Sequence, residues 1–176
     1  AGNVGKVQNL DNIILAFGEL NKEYSEKCQL NIIGDGSHLA SLEELVKENN
    51  IKNIIFHGRK PRDDMYMYFN ASDFLIVSLV DKPIFSLTVP AKTQTYIAAK
   101  KPIIGIINGE AAQIIEENNL GYITSPSNIE NITNIIKKAI DTNASDIEQF
   151  TRNSEELTKT IFDKNNIIDS LLNLLK

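Results

Sequence analysis

Apolar positions along the chain switch between two periods. Leu10, Ile13, Ile14, Phe17 and Leu20 recur at helical spacing, and Leu39, Leu42, Leu45 and Val46 do so again. Between them, Gln29 to Ile33 is a short apolar run closed by Gly34, the mark of a buried strand. The alternation continues with a strand over 53–57 stopped by Gly58, and a short helix over 63–70 with Asp63 or Asp64 near its N-cap. A strand over 73–79 and a loop over 80–89 come next. Pro90 can sit in the first turn of a helix running to about Lys100, because that turn does not use the amide proline lacks. A strand over 102–107, a helix over 110–118 and a short strand over 122–124 follow. Ser127-Asn128-Ile129-Glu130 reads as a capping box, with Ser127 accepting from an orphan amide and Glu130 reaching back. It opens a helix with Ile129, Ile132, Ile136 and Ile140 on one stripe. A last helical stretch, about 153–175, carries Leu157, Ile161, Ile168, Leu172 and Leu175.

Strand–helix alternation with short connections predicts an α/β domain: a Rossmann-like, three-layer α/β/α arrangement with a parallel sheet of about six strands, covered on both faces. Residues 1–176 read as one domain, with a core over 1–150 and a C-terminal helical segment over 151–176. The opening Ala1-Gly2-Asn3 is loop-like and leads straight into a helix. A doubly wound unit normally begins with a strand, so the first strand is expected upstream of Ala1.

Composition narrows the classes. Eighteen basic against 23 acidic residues give a net charge of −5 with no basic block, which argues against a nucleic-acid partner held through phosphates. The single cysteine, Cys28, excludes an internal disulfide and a multi-cysteine zinc site, and fits a reducing cytoplasm. No apolar run reaches the ~18 residues of a membrane span, and no signal-peptide pattern opens the chain. Asn-Ile-Ile recurs at 12–14, 31–33 and 53–55, a codon-level bias that makes asparagines weak functional pointers.

Parallel α/β sheets bind ligands beyond the carboxyl ends of their strands, where helix N-termini aim amides at anions. Gly34-Asp35-Gly36 lacks a third glycine at the dinucleotide spacing and reads first as a tight turn, with Asp35 or Ser37 as N-cap. His57 to Arg62 carries three cations, Arg59, Lys60 and Arg62. Two readings stand for it: a nucleotide-facing neck, with the backbone near Arg59 foremost, or a solvated turn. His57 has no Ser, Cys or carboxylate partner at an informative spacing and reads as structural. The stretch Ser86 to Tyr96 is the most informative. Free amides of residues 88–92, the hydroxyls of Ser86, Thr88, Thr93 and Thr95 and the Lys92 ammonium would converge at the helix opened by Pro90. That set suits a diphosphate, and the plain alternative is a well-capped helix with a surface lysine. Glu110 reads as an N-terminal helix charge, or as a group near a polar ligand in the same cleft. No Asp-x-Asp ends a strand and no His-x-x-x-His occurs, so no metal site is expected, and no Ser–His–Asp set can be specified.

The order of these features resembles the C-terminal, donor-binding half of a GT-B glycosyltransferase of family 4. It is most similar to bacterial fucosaminyltransferase-like enzymes of surface-polysaccharide synthesis. The residues that carry the resemblance are Gly2-Asn3-Val4-Gly5 with Gln8 to Asp11, Ile32 to Gly36, Ile55 to Arg59, and Met65 to Asp73. Val89 to Lys92, Tyr96 to Ile104, Gly109-Glu110-Ala111 and Gly121 complete it. It spans residues 2 to about 140. The resemblance implies a nucleotide-sugar ligand, usually UDP-linked, with retained stereochemistry and no metal, helix amides and basic side chains neutralising the diphosphate.

Carried over by residue, Lys92 and the Thr88–Val89 backbone match the diphosphate-facing turn. Arg59 and its backbone match the position meeting the base, and Lys6 is what remains of a basic pair whose other place is Asn3. The family's two glutamates, eight positions apart, fall on Leu87 and Thr95, and its glycine before the Lys-Pro step is Lys100. The expected donor-binding set is therefore Lys6, Gly34, Arg59, Ser86, Leu87, Thr88, Val89, Pro90, Lys92, Thr95 and Glu110, with no catalytic residue assigned. The resemblance also implies a saccharide or lipid-linked acceptor bound by a separate N-terminal domain outside this chain. The fragment alone would then bind without turnover, in the cytoplasm or at the inner face of the membrane. Two other readings stand beside it: a degenerate, non-catalytic binding module, and half of a UDP-sugar epimerase.

Overall fold

The computed structural model describes residues 1–160, so the part of the expected last helix beyond Thr160 lies outside the described residues. The strands are β1 (Gly2–Asn3), β2 (Leu30–Asp35), β3 (Ile54–Gly58), β4 (Leu75–Ser78), β5 (Ile103–Ile106) and β6 (Gly121–Thr124). The helices are α1 (Leu10–Gly18), α2 (Lys22–Ser25), α3 (Leu39–Glu48), α4 (Met65–Asn70), α5 (Pro83–Ser86), α6 (Ala91–Ala98), α7 (Glu110–Glu117), α8 (Ile129–Ile140) and α9 (Ala144–Thr160). Every paired strand runs parallel to its neighbour. Hydrogen bonding divides the six into two three-stranded sheets, ordered β1-β2-β3 and β4-β5-β6.

The layers follow from side-chain alternation. Ile103 and Ile104 are neighbours on β5 yet belong to different apolar clusters, one on each face. One cluster joins Ile13 and Phe17 of α1, Leu42 of α3 and Ile132 and Ile136 of α8 to Ile32, Ile54 and Ile104. The other joins Tyr96 and Ile97 of α6 and Ala111 and Ile115 of α7 to Leu75, Val77 and Ile103, with Leu157 of α9 packed in. Strands buried on both faces need continuous apolar runs, which is why 103–107 reads as unbroken isoleucine around Gly105. Each isoleucine buried this fully contributes about 2 kcal/mol over an exposed one.

The expected elements are present, with five local corrections. Gly2–Asn3, read as loop, is a two-residue strand in register with Gly34 and Asp35 of β2. The span 80–89 contains the helical turn α5, opened by Pro83 in its first turn. Pro90 is the N-cap of α6 rather than part of its first turn. Asn128 caps α8 by accepting from the Asn131 amide at 3.0 Å, while Ser127 donates instead to Asp81 Oδ2 at 2.7 Å. The last helix begins at Ala144, with Asn143 Oδ1 accepting from the Asp146 amide at 3.0 Å.

Asparagine is used here for local geometry. Asn21, Asn128 and Asn143 cap helices, and Asn9, Asn50 and Asn119 take left-handed backbone at turns, a conformation asparagine tolerates better than most side chains.

Candidate functional site

Because the strands are parallel, their carboxyl ends and the following loops gather at one edge. The loop after β4 is the longest there, and it is tied down on three sides. Val80 N–H donates to Val7 O at 2.9 Å, beyond β1. Asp81 accepts from Asn108 Nδ2 at 2.9 Å and from Ser127 Oγ at 2.7 Å, joining the loops after β5 and β6. The α-carbon of Gly109 sits against Ser86, where an added Cβ would fall 2.0 Å from the Ser86 carbonyl oxygen. Glu110, exposed at the start of α7, is thereby brought beside Ser86.

At the head of α6, no acceptor among the described residues meets the amides of Val89, Ala91 and Lys92. The expected convergence is only partly realised. Thr88 directs both its amide (3.2 Å) and its hydroxyl (3.0 Å) to Phe85 O. Thr95 Oγ1 donates back to Ala91 O at 3.0 Å, and Thr93 is fully buried with its hydroxyl unpartnered. Leu87 is 80% exposed.

Lys92 has a distinct setting. It is half-buried beside β1, its Cε 3.3 Å from where a Cβ on Gly2 would stand. Among the described residues no carboxylate pairs with it. Burial pulls its ammonium below the ordinary lysine pKa. A desolvated cation without an acid, next to free helix amides, is a place where an anion lowers the free energy.

The remaining expected residues are spread along the edge. Lys6 is exposed on the 3-10 turn Lys6–Gln8 that follows β1. Arg59 is exposed after β3, two strands from β1 and so about 10 Å away across the sheet. Gly34 takes φ +143° and is packed against Gly2. His57 bonds Asn31 Oδ1 at 2.7 Å and stands edge-on to Tyr68, a structural role.

Two features were not legible in the sequence. Asp81, in what read as plain loop, is the knot between three loops. His38, the N-cap of α3, holds both carboxylate oxygens of Asp11 at 2.8 and 2.9 Å through Nε2, fastening α3 to α1. Neither has a local motif, because each partner comes from an element distant in the sequence. Among the described residues no three His, Cys, Asp or Glu side chains converge as metal ligands do, and no helix is long and apolar enough to cross a membrane.

The model of the family "Glycosyl transferases group 1" matches residues 1–157. The chain belongs to the glycosyl transferases group 1 family. A probable glycosyltransferase of Pseudomonas aeruginosa, WbjE, is 32% identical over 128 residues, covering 72% of this chain and 31% of that protein. An uncharacterized glycosyltransferase of Methanocaldococcus jannaschii is 25% identical over 130 residues, covering 74% of this chain and 32% of that protein. The chain thus spans about a third of the length of the curated relatives it matches. Among solved structures, HepE of Anabaena in complex with UDP superposes with a TM-score of 0.81 at 15% identity, over 99% of this chain and 47% of that one. The C-terminal domain of the group 1 family protein LpcC from Francisella tularensis gives 0.74 at 21% identity, over 93% of this chain and 84% of that one. These likenesses establish for the group 1 chain the fold of a GT-B C-terminal half.

Proposed function

We propose that this domain binds the donor nucleotide-sugar of a retaining, metal-independent glycosyltransferase, with the diphosphate at the head of α6. The observation that carries the reading is Lys92: half-buried, without an acidic partner among the described residues, and adjoining the amides of Ala91 and Lys92 that no described acceptor meets. Solved structures of HepE in complex with UDP and with UDP-glucose support a uridine nucleotide as the first ligand to try. Arg59 and the backbone around it would face the base, Lys6 and Glu110 would border the cleft, and Ser86 to Pro90 would form its floor. The acceptor, a saccharide or a lipid-linked saccharide of a surface polysaccharide, would be held by a further domain of a longer protein.

A second reading, a binding module without transfer activity, has its own observation. The positions of the family's two glutamates are Leu87, exposed and apolar, and Thr95, whose hydroxyl donates to its own helix. Thr95 offers a ribose one hydroxyl where a glutamate offers two oxygens.

Calorimetric titration of the chain with UDP, UDP-glucose and GDP tests the donor site. Binding of at least one, weakened by at least about tenfold in Lys92→Ala, supports it, since losing a charge-assisted bond costs about 1.5–3 kcal/mol and 1.4 kcal/mol is tenfold. No heat at millimolar nucleotide, or an unchanged affinity in Lys92→Ala, removes it. Transfer measured with the parent protein separates the enzyme from the module.

A further inference from the structure

The loops at the carboxyl edge are joined in a closed circuit. Val80 N–H donates to Val7 O at 2.9 Å and fastens the loop after β4 to the loop after β1. Ser127 Oγ donates to Asp81 Oδ2 at 2.7 Å and fastens the loop after β6 to the loop after β4. Asn9 and Asn12 each donate from Nδ2 to Pro126 O at 3.0 Å, which returns the circuit from the loop after β6 to the head of α1. Asn9 and Pro126 are both buried, so this return is sheltered from water.

Asp81 is the branch point. Its other oxygen, Oδ1, accepts from Asn108 Nδ2 at 2.9 Å, so the loop after β5 is held as well. The next residue, Gly109, lies against Ser86 with no room for a Cβ. Asn108 and Gly109 thus grip the loop after β4 at two points: at Asp81, just before the turn α5, and at Ser86, its last residue. Thr88 then closes on Phe85 O through both its amide and its hydroxyl, and the chain enters α6 at Pro90.

A carboxylate is a costly group at this place. It is exposed, no lysine or arginine among the described residues pairs with it, and a negative charge near a diphosphate opposes binding. Both of its oxygens are engaged by neutral donors. What aspartate supplies is two acceptors on one short side chain, directed at two different loops.

We propose that Asp81 is a positioning residue of the donor site. Its two accepted hydrogen bonds hold residues 80–90 in the shape that presents Ser86 and the head of α6 to the nucleotide, and its charge plays no part. The inference rests on the donor reading of the α6 head. The bonds act before the ligand arrives, because a loop that keeps its binding shape only part of the time binds more weakly by that same fraction.

The test compares wild type, Asp81→Ala and Asp81→Asn. Each is titrated with whichever of UDP, UDP-glucose and GDP the wild type binds, and hydrogen exchange is followed without nucleotide. Alanine removes both acceptors. Asparagine keeps Oδ1 for Asn108, and its amide donates to the Ser127 hydroxyl, which accepts as well as donates. Asp81→Ala is expected to bind about tenfold more weakly, as for a loop in its binding shape a tenth of the time, and to exchange the Val80, Phe85 and Thr88 amides faster. Asp81→Asn is expected to bind at least as tightly as wild type and to exchange those amides at the wild-type rate. Equal weakening in both variants would make the charge the active feature and overturn the proposal. Wild-type affinity in Asp81→Ala would overturn it too, while leaving the donor site in place. Absence of binding by the wild type to all three nucleotides would remove the donor reading and this role with it, and faster exchange in Asp81→Ala would then mark the knot as purely structural. If Asp81→Ala does not fold, Asn108→Ala and Ser127→Ala each open one side of the knot and are read by the same outcomes.

Discussion

Gly34 is built around Gly2. A Cβ on Gly34 would stand 1.7 Å from the carbonyl oxygen of Gly2, and its φ of +143° is one that side chains rarely adopt. The contact holds β1 onto β2 where they pair, Gly2 with Gly34 and Asn3 with Asp35. Gly34→Ala is therefore expected to cost about 3 kcal/mol, combining backbone strain with a forced separation of the strands. Gly58→Ala is the control. Gly58 also has positive φ, +65°, but an added Cβ meets nothing within 4 Å, so only about 1–2 kcal/mol should be lost. Denaturant midpoints of the two variants measure the difference. Equal losses would mean that the contact with Gly2 contributes nothing.

Lys100, at the position the resemblance assigns to a glycine, has a φ of +55°. The left-handed turn after α6 is retained, and the lysine bears the strain. Its ammonium pairs with Glu155 of α9, an exposed lysine with a partly exposed glutamate, and that cation holds the Glu155 carboxyl below its usual pKa. Lys100→Gly should raise stability by about 1 kcal/mol, because relief of the left-handed conformation outweighs an exposed ion pair. It should also move the Glu155 carboxyl up toward the ordinary glutamate range, with the Lys159 charge still acting to lower it. Thermal unfolding and an NMR titration of the Glu155 carboxyl read the two effects separately.

The alternation of strand and helix was legible because buried parallel strands and amphipathic helices leave different periods in the sequence. Ile103 to Ile107 and the stripe Ile132, Ile136 and Ile140 show both. The errors fall where tertiary contacts decide. Gly2–Asn3 is a strand only because β2 lies beside it, and no periodicity can register over two residues. Ser127 and Asn128 are both good caps by composition. Asn128 takes the role because Asp81, distant in sequence, engages the Ser127 hydroxyl. At the candidate site, Lys92 and Pro90 were readable from the helix start. The inward turning of Thr88 and Thr95 was not, since a hydroxyl's choice between ligand and backbone carbonyl has no sequence mark.

The donor reading carries its own proton bookkeeping. Burial lowers the pKa of Lys92 in the free domain, and a diphosphate beside the ammonium would raise it again. Nucleotide binding should therefore take up protons when the pH approaches the lowered value, and affinity should fall as pH rises through it, earlier than for an ordinary lysine. Lys92→Arg keeps its charge throughout, so it should bind with a flat pH profile over the same range. Calorimetry in two buffers of different ionisation enthalpy measures the uptake directly. A wild-type profile as flat as that of Lys92→Arg, with equal heats in both buffers, would show that the phosphates lie away from Lys92 and that the head of α6 is only a capped helix.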